Sequence, residues 1–67
     1  MIYEVIEYLP EHLAHRCLVS DGTKRIVDLM VDGGFSNVPP ESLVGRKFEA
    51  DYDHPYIAIA MHVKEII

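Results

Sequence analysis

Asp21-Gly22, set between two apolar runs in "LAHRCLVSDGTKRIVDLMVD", restricts this chain more than any other feature. Asp-Gly between β-type segments is a strong short hairpin signal, because glycine takes the positive φ of such turns without a Cβ penalty. Two antiparallel strands are therefore expected to meet there, one over about residues 13–20 and the other over 25–32. A helix starting at Pro10, "PEHLAHRCL", competes for the first of these, since proline suits a first helical turn and Leu13 and Cys17 are four apart. A loop of Asp21, Gly22 and Thr23 places Arg16 opposite Asp28, Leu18 opposite Ile26 and Ala14 opposite Met30. A two-residue loop would place Leu18 opposite Arg25. Cross-strand partners share a face, so like-with-like pairing and an Arg–Asp pair favour the three-residue loop with a bulge.

Turn signals divide the rest of the chain into similar pieces. Ile2 to Leu9 is rich in β-branched and aromatic residues and ends at Pro10, which predicts a strand and then a bend. "DGGFSN" is a connection whose two glycines permit almost any backbone angle. In "VPPESLVGRKFEADY", Pro39 and Pro40 fit a first helical turn, and Glu41 suits the positive end of the peptide dipoles. Leu43 and Val44 are expected to point into a core, and Gly45 to leave the turn with positive φ. From Arg46 the period becomes two, with Phe48, Ala50 and Tyr52 on the core side and Lys47, Glu49, Asp51 and Asp53 on the wet side. After "DHP" the last segment alternates Ile57, Ile59, Met61 and Val63 against Ala58, Ala60, His62 and Lys64.

The order is three strands, a short helical turn and two strands, in one domain over residues 1–67. Together with the turn and glycine of "PPESLVGRKFEAD", it resembles the OB-fold, a small five-stranded antiparallel β-barrel with a helical element between strands three and four. The resemblance implies an all-β barrel whose end is plugged by Leu43 and Val44. It also implies single-stranded DNA or RNA binding on the face of strands two and three. An SH3-like barrel accounts for most of the same pattern, but there the one-turn helix precedes one strand rather than two.

Charge argues against the nucleic-acid function. Eleven acidic residues against six basic ones give a formal charge of −5, a field that repels phosphate on average. Arg16, Lys24, Arg25, Arg46 and Lys47 would have to form one basic strip, and strands two and three contain no aromatic residue on which a base could stack. The single cysteine, Cys17, has no internal disulfide partner, and acidic residues stand where a secretory signal carries basic ones, so a reducing, cytoplasmic setting is expected. No apolar run approaches the roughly 18 to 20 residues of a membrane span.

Catalytic and metal chemistry lack a constellation. His12, His15, His54 and His62 have no zinc-site spacing without cysteine pairs and are expected to be scattered surface histidines. Asp51 and Asp53 make a poor cation site by themselves. Cys17, with His15 two residues away, reads as a small buried apolar residue rather than a nucleophile. Neither a cofactor nor a metal nor an enzymatic reaction is expected. A protein partner or a second copy of the chain is expected instead, recognised through a strand edge or through Phe35 and Tyr56, which read as anchors on loops. At 67 residues, the domain is small enough for its core to gain from either.

Overall fold

The computed structural model describes residues 1–20, 22–31 and 38–67, with the backbone alone at Val31. The β-rich first half forms a meander of β1 (Ile2–Leu9), β2 (Ala14–Val19) and β3 (Ile26–Val31), paired antiparallel in that order. The competing helix at Pro10 does not form. Residues 10–13 make a turn held by amide-to-carbonyl bonds from His12 to Leu9 (3.1 Å) and from Leu13 to Pro10 (3.4 Å), with Leu13 at φ +51°. Arg16 pairs with Asp28 and Leu18 with Ile26, the register of the three-residue loop, and Gly22 has φ +86°. The β2–β3 ladder ends at His15 and Leu29, one step short of the expected Ala14–Met30 pair. β1 carries a bulge at Ile6, because Val5 opposes Cys17 while Glu7 opposes Arg16. A bulged residue drops out of the ladder, and Ile6 is accordingly exposed.

"PESL" forms one 3-10 turn, Pro40–Leu43, opened by Pro39 and followed by Gly45 at φ +85°. The Gly45 amide then donates to Val5 (2.9 Å) and the Val5 amide to Arg46 (2.8 Å), which docks the turn on β1. Leu43 is fully buried. Val44 is 45% exposed, so one residue of the expected pair closes the core and the other does not.

Each of the last two expected strands is split in two: β4 (Lys47–Glu49) and β5 (Tyr52–Asp53), then β6 (Ile59–Met61) and β7 (Glu65–Ile66). β4 pairs with β7 and β5 with β6, and between these pairings two residues (Ala50, Asp51) face three (His62, Val63, Lys64). This one-residue mismatch is a bulge, with His62 at φ +53°, and it reverses the inside–outside parity. Two face assignments are corrected as a result. Tyr52 is 42% exposed, whereas Asp53, assigned to the wet side, has a side chain only 15% exposed. On the partner segment Ala60 is buried and Val63 and Ile66 pack on the core, while Ile57 is 51% exposed.

Among the described residues the fold is mostly β, a single seven-stranded sheet ordered β5-β6-β3-β2-β1-β4-β7. This does not confirm the expected closed, five-stranded antiparallel barrel: the sheet is not closed, and β3 runs parallel to β6 through Met30–Ile59 and Val31–Ala60. Tyr3, Val5, Cys17, Val19, Leu29, Leu43, Phe48, Ala50 and Ala60 form one core, in which the Tyr3 and Phe48 rings stack 5.1 Å apart. No helix among the described residues is long and apolar enough to cross a membrane.

Candidate functional site

Pro55 breaks the ladder between β5 and β6 and leaves residues 54–58 as a loop. His54 organises it: its ring Nδ1 accepts from the amides of Tyr56 (3.1 Å) and Ile57 (3.2 Å), so the ring proton resides on Nε2. The His54 amide donates to Ile59 (2.9 Å), and Met30 of β3 donates to Ala58 (2.7 Å). Held at both ends, the loop presents Tyr56 at 91% exposure with Ile57 beside it. A shallow groove of about 320 Å³ separates this loop from β3 and is lined by Val27, Asp28, Leu29, Asp53, Tyr56 and Ile57, among others. Of the two expected protein-binding anchors, Tyr56 is here; Phe35 lies outside the described residues.

The expected basic residues are not brought together as a free strip. Arg16 binds Asp28 through Nε (2.9 Å) and Glu7 through a terminal nitrogen (2.8 Å). Arg25 grips both oxygens of Asp53, at 2.8 and 3.0 Å. Lys24 lies at the tip of the β2–β3 hairpin, Lys47 is paired with Glu4 on β1, and Arg46 joins the 3-10 turn to β4. Cross-strand partners share a face, so one side of the sheet carries Lys47 and Arg16 against Glu4, Glu7 and Asp28, with Leu18, Ile26 and Met30 between them. That face is acidic on balance and has no aromatic ring from β2 or β3.

Asp53 also accepts from the buried Tyr3 hydroxyl (3.0 Å), linking core, hairpin and loop base. The Arg25 guanidinium, aided by the Tyr3 hydroxyl, holds the Asp53 carboxyl below the usual carboxylate range. Burial and this same acceptor push the Tyr3 phenol above its ordinary range. A carboxyl with a depressed folded pKa stabilises the fold in full above its unfolded value of about 3.9, and that stabilisation is lost as pH falls through the folded value. The thermal midpoint of the wild type should thus fall more steeply below about pH 4 than that of Asp53→Asn. Parallel acid limbs for the two proteins would contradict this role.

Three histidines are in use and one of them is buried, which corrects the expectation of scattered surface histidines. His15 is 6% exposed, donates from Nε2 to the Pro40 carbonyl (3.0 Å) and lies 4.9 Å from the Tyr8 ring. It thereby ties β2 to the 3-10 turn, a role hinted at by its alternation with the apolar Cys17 and Val19. His62 contacts Asp51 (3.0 Å), whose carboxyl is held low by hydrogen bonds from Lys64 and His62. The buried Cys17 thiol lies 3.5 Å from the His15 carbonyl, an acceptor rather than an activating base, and burial pushes its pKa up to about 12. No group of three or more His, Cys, Asp or Glu among the described residues is placed to hold a metal ion. The pinning role of His54 has no mark in the sequence: "DHP" signals the end of a strand, but not that the ring accepts from the amides of Tyr56 and Ile57. No family model, curated protein or solved structure matches the chain.

Proposed function

We propose that the chain is a non-catalytic binding module that recognises another protein, or a second copy of itself, through the 54–57 loop and the adjoining face of β3. The observation that carries this reading is Tyr56, almost wholly exposed on a loop pinned by the His54 ring. A tyrosine held this way offers large contact area with little ordering entropy left to lose on binding. Ile57, Ile26 and Met30, each more than two-fifths exposed, supply apolar surface on the same elements.

The module is OB-like in this reading. In support, β1 lies between β2 and β4, β3 meets β6 in parallel, and β4–β5 and β6–β7 together form one bulged hairpin after the 3-10 turn. Its strand face has the charge of a protein-binding surface rather than of a phosphate-binding one. Light scattering over a concentration series, together with affinity capture, should show association with a copy or a protein partner. Tyr56→Ala should weaken that association about tenfold or more. A strictly monomeric protein that captures no protein yet binds oligonucleotides tightly at low salt would overturn the reading.

A further inference from the structure

The groove beside Tyr56 has a backbone wall. The Arg25 carbonyl accepts from Val19 of β2 (2.9 Å), whereas the Met30 amide donates to Ala58 on the opposite side (2.7 Å). Backbone polar groups alternate between the two sides of an antiparallel strand, so Arg25, Val27 and Leu29 bond toward β2, and Ile26, Asp28 and Met30 face away. β6 pairs with β3 only at Met30 and Val31. Among the described residues, then, no backbone group meets the outward amide and carbonyl of Asp28 or those of Ile26. Proteins commonly guard such an edge with a charged side chain. Here the Asp28 carboxylate is engaged by Arg16, its partner on β2, on the side of Asp28 away from that edge.

We infer that this open edge takes an extended segment of a partner protein as an added strand; the inference rests on the protein-binding reading and specifies the partner's form. The edge is bounded by the Arg25–Asp53 ion pair and by the Met30–Ala58 hydrogen bond. The interval from Arg25 to Met30 spans about 16 Å at strand rise, enough for a short strand and too little for a long one. Main-chain hydrogen bonds to Ile26 and Asp28 fix the segment's direction and register. Its alternate side chains meet Tyr56 and Ile57. Basic residues at its ends complement a chain of net charge −5.

The test is a nuclear magnetic resonance titration of the full isotope-labelled chain with the peptide acetyl-KVTVTVK-amide, a strand-forming probe with basic ends. Strand addition predicts shifts centred on Ile26, Asp28 and Met30 and slowed solvent exchange of the Asp28 amide. Asp28→Pro deletes the outward donor but spares the ladder to β2, and it should weaken binding about tenfold. Asp28→Ala keeps the amide and should change affinity by less than about threefold. Should the proline variant fail to fold, amide exchange in the wild type decides alone. Absent binding, shifts centred on β5 or β7, or an Asp28→Pro variant that binds as well as wild type would overturn the inference. So would a concentration-dependent dimer abolished by Asp28→Pro, since the occupant would then be a second copy. If Tyr56→Ala loses a captured partner while Asp28→Pro retains it, strand addition falls and the protein-binding reading stands; the converse leaves the edge and removes the loop.

Discussion

Phe48→Ala is expected to leave most of the chain unfolded at room temperature. Phe48 is fully buried, stacks on Tyr3 and sits in β4, where it pairs with Tyr3 of β1 on one side and Ile66 of β7 on the other. Truncating such a ring removes its transfer free energy and opens a cavity, at about 3–5 kcal/mol. A single core in a domain of this length rarely supplies more than roughly 3–5 kcal/mol of stability. The loss is therefore comparable with the whole. Urea denaturation followed by circular dichroism gives the measurement, with Tyr52→Ala as the companion. Although Tyr52 shares the sequence parity of Phe48, it is partly exposed, and its truncation should cost no more than about 0.5–1 kcal/mol. Similar losses for the two variants would mean that the bulge does not reverse the strand's parity.

Leu43→Ala should have the second largest effect, about 2–5 kcal/mol, because Leu43 alone of the 3-10 turn reaches the core. Its neighbour supplies the control. Val44 is 45% exposed, and Val44→Ala should change stability by about 0.5 kcal/mol or less. Chemical denaturation midpoints of the two variants resolve the difference directly. Equal losses would show that both side chains plug the sheet, as their adjacency in the sequence suggests, and would contradict the observed packing.

These pairs of residues also show where the sequence was legible. The β2–β3 register could be read because pairing across a tight turn is local: Arg16 and Asp28 are placed by the loop length alone. Gly45 was legible because its positive φ is a property of one residue. Tyr52 and Asp53 were misassigned because alternation holds only while a strand is unbroken, and the residue inserted across from Ala50 and Asp51 leaves no mark in either segment. The exposure of Tyr56 was legible from Pro55 and the turn. Its fixation by His54 was not, since a side chain that closes its own loop looks like any polar residue in the sequence. The Arg25–Asp53 pair joins residues far apart in the chain, and only the tertiary fold reveals that the cation is already bound.

The pairing order bears on how the chain reaches this state. β1, β2 and β3 are neighbours both in sequence and in the sheet, so short loop closures are enough to assemble them. β4 must return to β1 from beyond the 3-10 turn, and the parallel contact of β6 with β3 must form across most of the second half. Non-local pairings of this kind are slow, because chain entropy is lost before contacts compensate for it. The meander is thus the expected nucleus: substitutions in residues 14–29 should act mainly on the folding rate and those in residues 59–66 mainly on the unfolding rate, which stopped-flow folding and unfolding of variants in each segment would measure. On this expectation the same elements divide the molecule's labour, a frame of local pairings from the first half and a hairpin of distant pairings that carries the exposed tyrosine.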